Sequence, residues 1–131
     1  MFKLMVICCA LLAAPSALSA TEFTRQVSSG KKALMRAYSN FNLSDCSAYK
    51  GTVTVVEKPR YGTLSTTTGP YKIDINRFTG QRSKCAGKTI SGLNVLYVSQ
   101  RGFRGTDTFT LRATYREGML SATDRYTVEV R

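Results

Sequence analysis

The stretch that decides the fold is YVSQRGFRGTDTFTLRATY, residues 97–115. Its second half alternates without a break: Phe109, Leu111, Ala113 and Tyr115 on one side, Thr108, Thr110, Arg112 and Thr114 on the other. Successive side chains of a strand point to opposite faces, so this is a strand with one buried face and one wet face. The first half sets Arg101, Phe103 and Arg104 among glycines. It reads as an RGG-like nucleic-acid segment, a ligand loop, or a turn between strands. RGG segments bind as disordered repeats, whereas this single copy is flanked by strong strand patterns, which favours the turn. In that reading Gly102 and Gly105 supply positive φ or close backbone approach. Phe103 folds back over the end of the core, and Asp107 accepts backbone N–H bonds that close the turn. Arg101 and Arg104 are then displayed at the surface.

The same period of two recurs on either side. Tyr126, Val128 and Val130 alternate with Thr127, Glu129 and Arg131, and Tyr71, Ile73 and Ile75 with Lys72, Asp74 and Asn76. GTVTVVE (51–57), LNVLYVS (93–99) and the shorter YGTLSTT (61–67) are further strands by their β-branched and aromatic content. KKALMRAYSNF (31–41) mixes helix formers without a 3.6-residue spacing and is expected to be the first strand. EKPRYG, TTTGP and YREGM punctuate these runs as turns. About seven short strands so punctuated predict a β-sandwich. The longest irregular stretch, NRFTGQRSKCAGKTISG (76–92), is a functional loop or hides a short strand near Thr89.

Tyr97, Gly102, Phe103, Gly105, Asp107 and Phe109 follow a motif of bacterial extracellular Ig-like and cadherin-like domains. There a strand ending in tyrosine leads into G-F-x-G-x-D and a strand that begins with phenylalanine. The chain resembles that family. VEKPRYGTL (56–64) is similar to its P-x-x-G-T-hydrophobic turn through Pro59, Gly62, Thr63 and Leu64, and SATDRYTVEV (121–130) to its closing strand. Ser99 stands where those domains usually carry proline, and the segment from Gly69 to Gly92 is longer than theirs and carries Cys85. The resemblance implies an exported Ig-like antiparallel β-sandwich.

The chain has 131 residues, enough for one domain. Residues 1–20, MFKLMVICCALLAAPSALSA, combine an early cation, an apolar run and a small-residue end. That is the layout of a signal peptide, cleaved after Ser19 or Ala20. The run is too short for a spanning helix, which needs about 20 residues. Residues 21–30 are expected to be a loose leader and 31–131 the sandwich, in a periplasmic or secreted protein. Cys8 and Cys9 fall in the discarded part. Cys46 and Cys85 remain, and two cysteines in an oxidising compartment pair. Simple up-and-down counting of strands puts them at opposite ends of the sandwich. Either 77–92 makes an extra crossing or a connection bridges the sheets.

Net charge is +11 with no histidine. Without histidine there is no His-based triad, no imidazole base and no His-ligated metal. Scattered acids make neither a carboxylate pair nor a cage for calcium. No catalytic residue, metal or cofactor is expected. The positive excess favours anionic partners. The candidate anion-binding residues are Arg77, Arg82, Lys84 and Lys88 in one loop and Arg101 and Arg104 in the other. One crossing, 93–99, separates these loops, so the two clusters should not merge. Tyr61, in the PRYG turn, is the tyrosine expected to be most exposed. The expected function is a non-catalytic envelope module that recognises an anionic glycan or lipid head group. The alternative is a protein–protein, adhesin-like or structural domain whose charge is incidental. Nucleic acid is disfavoured by export.

Overall fold

The structure, a computed structural model, describes residues 19–49, 53–115 and 119–131. The expected signal peptide therefore lies, but for Ser19 and Ala20, outside the described residues. The strands are β1 (Thr21–Val27), β2 (Ala33–Tyr38), β3 (Val53–Glu57), β4 (Gly62–Lys72), β5 (Thr89–Ser99), β6 (Gly105–Tyr115) and β7 (Leu120–Val130). They form two sheets, β1-β7-β6-β3 and β2-β5-β4, and there is no helix among the described residues. This is the Ig-like sandwich, with every pairing antiparallel except β1 with β7. No helix among the described residues is long and apolar enough to cross a membrane.

Two elements depart from the sequence reading. Residues 21–27 are not a loose leader: β1 runs parallel to β7 from Thr21 opposite Asp124 to Val27 opposite Val130. The expected strand at 61–67 runs on as β4 to Lys72, taking in the first two residues of the separate strand expected at 71–75, whose remaining residues 73–75 lie in the following loop. β4 pairs with β5 without interruption from Gly62 opposite Ser99 to Lys72 opposite Thr89, passing through Gly69 and Pro70. Proline has no N–H to donate, but β4 edges its sheet and pairs on one side only, so Pro70 is tolerated there.

Fusing those strands removes one crossing and resolves the cysteine geometry. The loops 39–49 and 73–88 now fall at the same end, and Cys46 and Cys85 are joined there as a disulfide, Cα to Cα 5.6 Å. We call this the disulfide end. The connections 28–32, 58–61 and 100–104 fall at the opposite, turn end, beside the Gly105–Val130 and Gly62–Ser99 register pairs.

The core follows from the inward parity of β5, β6 and β7. Phe23, Tyr126 and Phe109 sit side by side in register across β1, β7 and β6. Their rings stack at 5.1 and 4.8 Å, and Tyr97 of the facing sheet stacks on Phe109 at 6.0 Å. Tyr97, Phe109 and Tyr126 are wholly buried, each contributing roughly 1.5–3 kcal/mol of apolar burial. The same parity carries two carboxylates inward, Asp107 at the turn end and Asp124 at the disulfide end, both buried.

Candidate functional site

At the turn end Asp107 is the organising residue. Its carboxylate accepts the backbone N–H of Arg60 at 3.0 Å and of Tyr61 at 3.1 Å, the Tyr97 hydroxyl at 2.8 Å and its neighbour Thr108 N–H at 3.0 Å. It thus closes the Pro59–Gly62 turn as well as its own. Burial and the bond to Asp107 hold the Tyr97 phenol well above its usual range. Gly62 is required by close approach, because a Cβ there would lie 2.5 Å from the Tyr97 ring. Gly102, at φ 83, makes the left-handed step that turns Phe103 back. Phe103 packs on the main core and stacks on Tyr61 with ring centres 4.4 Å apart, its edge 3.4 Å from where a Gly105 Cβ would stand. Tyr61 is exposed at 39 %, but it is not the most exposed tyrosine as expected, since Tyr49 stands at 45 %.

The 28–32 connection is tied to the 100–104 turn and its flank, and that turn to 58–61. Ser29 Oγ donates to the Phe103 carbonyl at 2.7 Å, Gly30 N–H donates to Ser99 Oγ at 2.9 Å, and Gln100 N–H donates to the Tyr61 carbonyl at 2.8 Å. Ser99, where a proline was usual, is therefore the acceptor that fastens the β1–β2 connection. This bonded frame displays Lys31 and Lys32, Lys58 and Arg60, and Arg101 and Arg104, all exposed. None of them makes a salt bridge with a described residue, although Glu57 and Glu129 lie on strands that reach this end.

The disulfide end is organised by a buried ion pair. Arg77 donates to both oxygens of Asp124, at 2.6 and 3.0 Å, and to the Tyr115 hydroxyl at 2.9 Å. Tyr38 donates its proton to Asp124 at 2.7 Å, so Tyr126, 2.8 Å from the Tyr38 oxygen, donates to Tyr38. Burial alone would raise the Asp124 carboxyl, but the bonds from Arg77 and Tyr38 outweigh it and hold it below the usual carboxylate range. Burial and the hydrogen bonds to Tyr126 and Asp124 push the Tyr38 phenol far up. The bond to Asp124 raises the Arg77 guanidinium further still, against the effect of burial.

Arg77 is thus committed to a side-chain partner, unlike the other cations proposed from sequence. Arg82 and Lys84 are exposed on the same loop, where Arg82 forms a bridge with Ile75, and Lys88 reaches the Asp45 carbonyl at 3.3 Å. Arg101 and Arg104 stand at the far end, separated from that loop by β5 as expected. The sequence reading did not gather Lys31, Lys32, Lys58 and Arg60 beside them. It also passed over Asp124, whose inward parity with Tyr126, Val128 and Val130 was the available signal. Among the described residues no cluster of metal-ligating side chains occurs. No family model, curated protein or solved structure matches this chain.

Proposed function

We propose that the protein is an exported, non-catalytic binding module of the cell envelope that engages an anionic glycan or lipid head group through its turn end. The carrying observation is the set of exposed cations on three loops bonded in series through 100–104, Lys31, Lys32, Lys58, Arg60, Arg101 and Arg104, with no salt bridge to a described residue. Like charges held together by a rigid frame repel unless an anion joins them, and their summed field concentrates anions from solution. The planar forks of Arg60, Arg101 and Arg104 suit carboxylate and phosphate groups. Tyr61 offers a half-open aromatic edge among them for a sugar face. The disulfide suits an oxidising compartment, periplasmic or extracellular. Asp107, which joins the G-F-x-G-x-D turn to the P-x-x-G-T turn, supports the resemblance to bacterial extracellular Ig-like domains.

A second reading has its own support. Edge strand β3 exposes Val55 and Val56, at 41 and 57 %, which favours a protein partner laid along that edge.

The test is binding to lipopolysaccharide, peptidoglycan and anionic-lipid vesicles as separate samples, at low and at moderate salt. The polyanion reading expects binding to at least one sample, weakened by salt because exposed charges are screened. Replacing Lys58, Arg60, Arg101 and Arg104 by glutamine should abolish it, and replacing Arg82 and Lys84 should leave most of it. Binding that ignores salt, or no binding to any sample, would sink the reading and turn attention to β3.

A further inference from the structure

Arg36 carries the one buried side-chain nitrogen without a hydrogen-bond partner among the described residues, its Nε. A bulge in β2 brings it to this position. Leu34 faces Leu96 and Arg36 faces Val95, so Met35 is an extra residue and the alternation shifts around it. Bulges re-aim side chains and recur beside functional sites. The guanidinium stands 5.1 Å from the Phe23 ring centre and 5.7 Å from that of Tyr38, at the side of the sandwich edged by β1 and β2. Aromatic faces hold a cation without consuming its N–H donors. Asp124 is already bound by Arg77 and Tyr38, and among the described residues no carboxylate forms a salt bridge with Arg36.

A recess of about 80 Å³ at the disulfide end is lined by Arg36 together with Ser39, Phe41, Leu43 and Arg77. At about 30 Å³ per water it has room for two or three waters, or for one carboxylate group. The lining includes Ile75 and Phe78, which are exposed at 56 and 45 %, an apolar rim around a cationic interior. Asp74, exposed on the same lining, sets a negative charge near the mouth and disfavours a dianion.

We propose that this recess binds the carboxylate of an amphipathic monoanion, an acyl or aryl carboxylate. Arg36 is the counter-ion, and Phe78 and Ile75 contact the apolar body. The site lies at the opposite end from the polyanion surface and stands or falls independently of it.

The experiment is an NMR titration of the folded protein with decanoate below its micellar concentration and with benzoate. Glucuronate and inorganic phosphate serve as comparison anions. Saturable shifts of the Arg36 side-chain signal and of the Ser39 and Phe78 amides are expected with decanoate and benzoate. Glucuronate and phosphate should bind roughly tenfold or more weakly, having no apolar body for the rim. Arg36→Gln should lose the carboxylate. Phe78→Ala, at an exposed position, should weaken decanoate without unfolding the protein, and Asp74→Asn should tighten it. The Arg101→Gln, Arg104→Gln variant should bind decanoate as the parent does. No saturable shift, shifts confined to the turn end, or phosphate binding as well as decanoate would each overturn the proposal. Should Arg36→Gln fail to fold, unchanged decanoate binding in both Phe78→Ala and Asp74→Asn would also overturn it.

Discussion

Asp107 and Asp124 occupy equivalent places in the pattern of their strands, one inward step beyond a run of core residues, yet each solves burial differently. Asp107 is satisfied by neutral donors, two backbone N–H groups from the facing turn and a tyrosine hydroxyl. Asp107→Asn keeps the shape but offers one acceptor oxygen in place of two. It should cost about 1.5–3 kcal/mol, the worth of bonds to a charged group. Hydrogen exchange at the Arg60 and Tyr61 amides should quicken more than exchange in β7; uniform quickening would deny Asp107 its local role. Asp124 needs a cation, and Arg77 supplies it with both nitrogens. Arg77→Met leaves the carboxylate buried and unpaired, at about 3–5 kcal/mol near pH 7. The pH dependence is more telling. In the parent, Asp124 titrates below its unfolded value, so its stabilisation is complete above that value and is lost as pH falls through the folded one. In Arg77→Met, burial works against only the Tyr38 bond and the more distant Arg36 charge and should raise the same group above its unfolded value, so that folding takes up a proton and acid stabilises. Denaturant unfolding between pH 6 and 3 should therefore give slopes of opposite sign for this group; parallel curves would contradict the pairing.

At the scale of elements, the disulfide closes the end left by the long β2–β3 and β4–β5 connections. Cys46 sits at φ 60, a left-handed turn of a non-glycine residue, within a loop where its N–H bonds the Asn42 carbonyl at 2.8 Å. Replacing both cysteines by alanine should destabilise the protein by about 4 kcal/mol on the chain-entropy account of a closed loop. The loss should appear in thermal unfolding and as faster exchange in 39–49 and 73–88, with the turn end unaffected. Loss below about 1 kcal/mol would mean the loops are fixed by other contacts, such as the Ile73, Ile90 and Tyr71 cluster. These elements also explain how far the sequence could be read. Strong alternation exposed β6 and β7, and compartment logic joined the cysteines. β1 was missed because Arg25 interrupts its apolar alternation, and a parallel strand has no hairpin turn to announce it. Gly69-Pro70 was read as a turn although an edge strand tolerates both residues. That one misreading reversed the parity of what lay between it and β2. It separated Cys46 from Cys85 and the 58–61 turn from the 100–104 turn. The same count sets Lys58 and Arg60, two of the six cations of the turn end, away from Arg101 and Arg104. Arg36 was hidden by a bulge, which no binary pattern shows.

Over the whole molecule the charge is unevenly placed, though +11 describes only its sum. The turn end displays cations with no salt bridge among the described residues. The disulfide end sets its cations among Asp45, Asp74 and Asp124, one of them closed into a buried pair. A polyanion should therefore approach from the turn end, with the sandwich as a rigid support, and the interaction should fade as salt screens the exposed charges. A variant with Lys31, Lys32, Lys58, Arg60, Arg101 and Arg104 all changed to glutamine should keep its thermal stability or gain slightly, because exposed like charges contribute repulsion to the folded state. Marked destabilisation, read by calorimetry, would assign these side chains to the fold. The most direct measurement is an amide-shift map of the isotope-labelled protein titrated with anionic-lipid vesicles or a phosphorylated oligosaccharide at low salt. Shifts and broadening confined to 28–32, 58–61 and 100–104, and reversed by added salt, are the predicted result. Changes centred on 73–88 or on β3, or none at any concentration, would contradict the assignment of the turn end as the binding surface.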